Sequence, residues 1–305
     1  MAFYTNSQGL KISYEEYGDP KNKTVLFFEG WPSPYEGISN PIKEGLDRLG
    51  YHTVVFNYRG FGASDSSMLN SMAWCALDAK ELLEHLGIQN ATFFSASMGV
   101  SAMLAYFKEY GTLYCDSVVI FDQPPCLTTR EDWPYGRVRG QQDEKLLLKY
   151  VAMMFHNFGD FMAYDSAAAA PDAFPELDLP PIMKMGPIKA YMAVEDKSSL
   201  PPVYKEICDV AMGKMEVKMD FLAMIATFFD STYQDYRDVV PTIQVPGLVF
   251  APNPGSVNQL EGNLYYKEHW GGPVTFVELK PGTHYAIYDY SDRIVDDVDK
   301  FLKAL

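Results

Sequence analysis

Four short runs of consecutive apolar residues constrain this 305-residue chain more than any other feature: Thr24–Glu29 (TVLFFE), Thr53–Asn57 (TVVFN), Ala91–Ser95 (ATFFS) and Ser117–Asp122 (SVVIFD). A strand that faces water on one side alternates polar and apolar residues, whereas a continuous apolar run of this length fits a strand covered on both faces. Between the runs the spacing changes to that of helices. Ile38, Ile42, Leu46 and Leu49 recur at helical intervals up to Gly50, and Cys75, Ala79, Leu82, Leu83 and Leu86 form one helical face up to Gly87. Buried strands alternating with helices of this length predict βαβ units, and hence a mostly parallel sheet with helices on both faces.

The alternation starts at Leu10, Ile12 and Tyr14, an early strand that ends at Gly18-Asp19-Pro20. It stops after Pro124-Pro125 for more than a hundred residues. That stretch holds ten of the fifteen Met, the alanine run Ala167–Ala170 and the joint Leu179-Pro180-Pro181. Strand and helix rhythm resumes with strands at Val245–Ala251 and Val274–Leu279, then a closing helix with Ile294, Val298, Phe301 and Leu305 on one face. The expected organisation is a core of residues 1–124 and 240–305, with residues 125–239 inserted as a mostly helical cap. Met, Phe and Tyr suit an adaptable apolar roof, although Met filling a helical core explains the same composition.

The charge balance narrows the partners. Lys plus Arg number 25 and Asp plus Glu 40, a net charge of −15, which repels phosphate backbones and anionic lipid surfaces. The expectation is a small-molecule substrate, with no nucleic-acid or membrane partner. The cysteines, Cys75, Cys115, Cys126 and Cys208, are far apart and include no C-x-x-C pair, so neither a zinc knot nor a disulfide framework is expected. The opening MAFYTNSQGLKISYEEYG has no basic region followed by an apolar one. The expected setting is therefore cytoplasmic, with reduced thiols.

The chemistry concentrates at Phe93-Phe94-Ser95-Ala96-Ser97-Met98-Gly99. A serine on a sharp turn from strand to helix is pushed out of the end of the sheet, and small residues two positions either side let the turn close. Gly99 fills one small slot and Ser95 the other. Ser97 is the candidate nucleophile over the plainer reading as a helix N-cap, and Ser95, inside the strand, reads as a packing residue.

With these residues in view, the chain resembles the α/β-hydrolase fold family over nearly its whole length. The resemblance rests on the Gly30 loop after the first buried run, Arg59-Gly60-Phe61-Gly62-Ala63-Ser64 after the next, the turn at Ser97, and the late Gly282-Thr283-His284. It implies an α/β-hydrolase core in which the loop holding His284 lands beside Ser97. A serine hydroxyl needs a base to accept its proton, and of His52, His85, His156, His269 and His284 the last is expected to supply it.

The carboxylate that orients such a histidine departs from the family's frequent pattern. After the strand at Gly247–Ala251 this chain reads Pro252-Asn253-Pro254-Gly255-Ser256, with no acid. Asp122 occupies a second placement known in this fold, at the end of the strand after the nucleophile helix. It is the expected third member, with Asn253, Glu261 or no third member as alternatives, and a turn-forming role as the plainer reading. The backbone N–H groups of Met98 and, by resemblance, Trp31 are expected to hold the developing oxyanion. Glu29 stands where the family usually has histidine; an ion pair with Arg59 and a role in tuning the pocket are both open to it. Glu29, Trp31 and Trp133 are the candidate pocket residues.

Arg59-Gly60-Phe61-Gly62 lacks the third glycine of a dinucleotide fingerprint, and no Walker A, H-E-x-x-H or EF-hand pattern occurs, so no metal or other cofactor is expected. The resemblance implies a serine hydrolase acting on an ester, lactone or thioester of a small-to-medium hydrophobic substrate. Carbon–carbon bond hydrolysis, perhydrolysis and lyase chemistry use the same residues in this fold. Dehalogenase and epoxide hydrolase chemistry is disfavoured, because those relatives have aspartate where Ser97 stands. A non-catalytic ligand binder on a hydrolase scaffold is the reading from a different class, motivated by Ser95, Glu29 and the missing late acid.

Overall fold

The computed structural model describes residues 1–30, 40–136, 198, 205–206, 220–255 and 258–305. Eight strands form one sheet: β1 (Ala2–Thr5), β2 (Lys11–Tyr17), β3 (Thr24–Phe28), β4 (His52–Phe56), β5 (Ala91–Ala96), β6 (Cys115–Phe121), β7 (Gly247–Gly255) and β8 (Val274–Thr283). Their spatial order is β1-β2-β4-β3-β5-β6-β7-β8. The first two pairings, β1 with β2 and β2 with β4, are antiparallel; every pairing from β4 to β8 is parallel. The four apolar runs become β3, β4, β5 and β6, the centre of this sheet. The edge strand β1 carries too few alternating residues to stand out in the sequence.

The helices whose full extent lies among the described residues are α1 (Pro41–Arg48), α2 (Met72–Leu86), α3 (Met98–Tyr110), α4 (Phe221–Tyr233), α5 (Leu260–His269), α6 (Ala286–Asp289) and α7 (Ser291–Lys303). Side chains on successive strand residues point to opposite faces, so each apolar run feeds two cores. Leu26, Phe28, Phe93, Val118 and Ile120 pack with α2, α3 and Tyr266 of α5 on one face. Val25, Phe27, Phe94, Val119 and Phe121 pack with Ile42 and Leu46 of α1 and Ile294, Val298 and Leu302 of α7 on the other. Each large side chain buried this way contributes about 1.5–3 kcal/mol.

Helix ends follow local chemistry. Asn40 caps α1 by accepting from the amides of Ile42 and Lys43, ahead of Pro41 at the first helical position. Arg59, in the loop after β4, is fully buried, and its Nε and Nη2 bind the two carboxylate oxygens of Asp78 on α2 at 2.8 and 2.7 Å. That bidentate pair makes Arg59 a brace between the loop and α2, not the partner of Glu29.

Most of the expected cap, 125–239, lies outside the described residues. The part that is described includes α4 and the turn around Trp133. No described helix is long and apolar enough to cross a membrane.

Candidate active site

β5 runs directly into α3, and the joint is Ser97, with φ 51° and ψ −128°. A non-glycine residue rarely holds such a backbone, and positions of this kind gather where a side chain must project into a site. Gly99 makes the turn possible, since a Cβ there would collide with the backbone of Phe28. Gly30 lies against the same corner, where an added Cβ would sit 3.3 Å from Ser97 Cβ and 3.9 Å from its Oγ. Ser95 stays inside the strand, fully buried, with its hydroxyl donating to the carbonyl of Val119 at 3.1 Å.

His284 follows β8, and its Nε2 is 3.0 Å from Ser97 Oγ. Its Nδ1 is 2.7 Å from Asp122 Oδ2. A carboxylate only accepts, so Nδ1 carries the proton, Nε2 is left as an acceptor, and the Ser97 hydroxyl donates to it. Asp122 is fully buried while the His284 side chain keeps 20% of its exposure, so the pair faces Ser97 from a closed end and an open one. The structure thus brings Ser97, His284 and Asp122 together in a single relay. Asn253 donates to Glu278 at 3.1 Å, and Glu261 sits in the first turn of α5.

Asp122 is the first residue past β6 and has φ 40°, a conformation Asp tolerates better than most residues. Its corner is tied down from α5 and the turn before it. Asn258 Nδ2 donates to the Asp122 carbonyl at 2.8 Å, Asn263 Nδ2 to Asp122 Oδ1 at 3.0 Å, and the Tyr266 hydroxyl to the Gln123 carbonyl at 2.9 Å. Sequence reasoning missed Asn258 and Asn263. The one local signal was Asn263 itself, a weak helix former in mid-helix three residues before an aromatic on the same side.

Met98 is the first residue of α3, so its amide has no partner within the helix and points out at the positive end of the helix dipole. Trp31, expected to supply the second amide and a pocket wall, lies outside the described residues. Trp133 is buried, donates from Nε1 to the Cys126 carbonyl at 3.0 Å, and packs edge-on against Tyr135 and Tyr265, with Arg237 over its ring. These contacts account for its burial without a ligand.

Glu29 accepts a hydrogen bond from Asn40 Nδ2 at 2.7 Å. Burial pushes its carboxyl up to about 7, against the pull of the Asn40 hydrogen bond and the Lys43 charge. Burial also raises the phenol of Tyr288, with Glu29 and Glu206 adding negative charge beside it.

A sheet of this order, the sharp corner at Ser97 between β5 and α3 and a histidine after the last strand define the class: the chain has the α/β-hydrolase fold. The family model described as alpha/beta hydrolase fold matches residues 23–144. The chain is 27% identical over 138 residues to a non-heme haloperoxidase of Rhodococcus erythropolis, an alignment covering 45% of this chain and 49% of that protein. It is 26% identical over 176 residues to the bifunctional esterase/perhydrolase DCH of Acinetobacter calcoaceticus, covering 55% of this chain and 63% of that protein. The matched segments therefore span about half to just under two thirds of those relatives. Among solved structures, an esterase from Exiguobacterium antarcticum superposes with a TM-score of 0.72 at 19% identity, over 99% of this chain and 98% of that one.

Proposed function

We propose that the chain is a cofactor-independent serine hydrolase that cleaves an ester, lactone or thioester of a small-to-medium hydrophobic substrate through an acyl-enzyme. The observation that carries this reading is the relay from Asp122 Oδ2 to His284 Nδ1 at 2.7 Å and from His284 Nε2 to Ser97 Oγ at 3.0 Å. Ser97 Oγ attacks the carbonyl carbon while its proton passes to His284 Nε2. Asp122 keeps the ring in the reactive tautomer and stabilises the imidazolium. The Met98 amide donates to the oxyanion, a contribution of about 3–4 kcal/mol per donor in enzymes of this kind. His284 then protonates the departing alcohol or thiol. Water, deprotonated by His284, attacks the acyl group and returns the Ser97 hydroxyl. The Met-rich stretch at 125–239 is the proposed source of apolar selectivity.

The names of the relatives favour a second outcome at the same acyl-enzyme. Hydrogen peroxide in place of water would attack the acyl carbon, release a peracid and restore Ser97 with the same proton count. The non-catalytic reading draws on Ser95, Glu29 and the missing late acid, and Asp122 beside His284 weakens the last of these.

Labelling with a fluorophosphonate probe and turnover of a short-chain aryl ester test the proposal together. The expected result is label at Ser97 and loss of turnover in Ser97→Ala. Wild-type turnover in Ser97→Ala, or a folded wild-type protein that takes no label, overturns it. Adding hydrogen peroxide and assaying the peracid decides whether perhydrolysis accompanies hydrolysis.

A further inference from the structure

We propose that Asn263 is a positioning residue for the reaction: its amide N–H fixes the plane of the Asp122 carboxylate so that Oδ2 faces His284. The proposal rests on the Ser97-His284-Asp122 reading and adds to it a group that touches neither substrate nor nucleophile.

The terminal torsion of an aspartate is broad, so the backbone alone does not aim its oxygens. In this chain Asp122 follows β6 directly, and its carbonyl and its carboxylate are held from the turn before α5 and from α5 itself. Asn258 takes the carbonyl at 2.8 Å, and Asn263 Nδ2 takes Oδ1 at 3.0 Å. With Oδ1 held, the carboxylate presents Oδ2 to His284 Nδ1 at 2.7 Å. The amide can serve in only one orientation. Its nitrogen must face Asp122, because its oxygen there would set two acceptors against each other. That choice turns Asn263 Oδ1 inward, where it is buried with no hydrogen-bond partner among the described residues. Asn263 is itself fully buried.

A buried acceptor without a partner destabilises a fold, and an apolar side chain of similar size would remove the penalty. Packing therefore does not explain an amide here, whereas a donor aimed at a carboxylate does. Tyr266 on the same helix, bonded to the Gln123 carbonyl at 2.9 Å, and Gly262, whose missing Cβ leaves room for Pro124, seat α5 against the corner. The donor thus sits on a rigid element.

The experiment compares Asn263→Leu and Asn263→Asp with wild type in kcat, KM, pH profile and thermal midpoint, with Ser97→Ala as control. Asn263→Leu removes the unpartnered Oδ1 but also the donor to the buried Asp122 carboxylate, so it is expected to fold with a thermal midpoint within a few degrees of wild type. Its kcat should fall roughly tenfold to hundredfold at nearly constant KM, as a mis-set catalytic group does. The acidic limb of its pH profile should move to higher pH, because a carboxylate that has lost a donor attracts a proton more strongly, its own or that of His284. Asn263→Asp keeps the shape and sets two carboxyl groups together, so its acidic limb should move further the same way. If either variant folds, a kcat within twofold of wild type and an unmoved acidic limb overturn the proposal. That result with an inactive Ser97→Ala leaves the triad reading intact, whereas turnover by Ser97→Ala removes both.

Discussion

Asp122 Oδ2 stands 2.7 Å from His284 Nδ1, across 162 positions of chain, although β7 lies between the strands that carry them. The acid comes from the end of β6, and the end of β7, where Asn253 stands, contributes a side chain directed to Glu278 instead. Asp122→Asn should therefore lower kcat about 10³- to 10⁴-fold, since an amide N–H can donate to Nδ1 and so favour the tautomer whose Nε2 is already protonated. Asn253→Ala should leave kcat within about twofold, the scatter of a surface change away from the chemistry. Steady-state turnover of one aryl ester by both variants decides which residue serves His284. Equal losses would remove Asp122 from its role.

Ser97 holds its hydroxyl toward His284 by keeping φ at 51°, a conformation that glycine adopts without penalty. Two inactive variants separate the backbone from the side chain. Ser97→Ala retains the strain, whereas Ser97→Gly relieves it, by about 1–3 kcal/mol for a residue in such a region. Differential scanning calorimetry should then place the midpoint of Ser97→Gly above that of Ser97→Ala by roughly 2 °C or more. A lower midpoint for the glycine variant would mean that the turn carries no stored strain.

Much of this was legible because buried parallel strands announce themselves in one dimension. The runs at 24–28, 91–95 and 117–121 need no partner to be recognised, and the Ser97 turn is local. Asp122 could be nominated because its place at a strand end follows from the order of elements. Side-chain partnerships between distant elements were not legible. Nothing near Arg59 in the sequence selects Asp78 on α2 over Glu29, and nothing near Asp122 points to Asn263 on α5. Such pairs depend on how helices lie against the sheet, which a linear period does not encode.

The two glycines at the corner should fail in different ways. A Cβ at position 99 meets the Phe28 backbone, which cannot move without disturbing β3, so Gly99→Ala should lose folded protein at expression or unfold many degrees earlier. At position 30 a Cβ would sit 3.3 Å from Ser97 Cβ, close enough to press on that side chain, while the nearest backbone atom, the Ala96 oxygen at 3.5 Å, is in ordinary contact. Gly30→Ala should fold with a midpoint near wild type while kcat drops at least tenfold. Circular dichroism melts with turnover on the same samples test this pairing. A fully active Gly30→Ala would show that Ser97 tolerates the crowding.

Glu29 sets a pH dependence of stability whose direction can be worked out. Its carboxyl is raised from the ordinary 4.5 to about 7, chiefly by burial, and the groups that face it are Asn40 and Lys43 from α1, Tyr58 and Tyr288. Below about pH 4.5 the group is protonated folded and unfolded, and its favourable contribution is complete. Between about 4.5 and 7 the unfolded chain releases this proton while the folded one keeps it. The folded state then binds more protons, so stability falls as pH rises, and the loss levels off above the folded value. Glu29→Gln is neutral throughout and keeps an oxygen for the Asn40 amide. Its thermal midpoint should match wild type near pH 4.5 and exceed it at about pH 8, the difference growing through the window between. Taking the difference at each pH removes the titration of every other group. A difference that stays flat from about pH 4.5 to 8 would falsify the raised carboxyl, and one that grows toward acid would mean that Glu29 is stabilised as a charge.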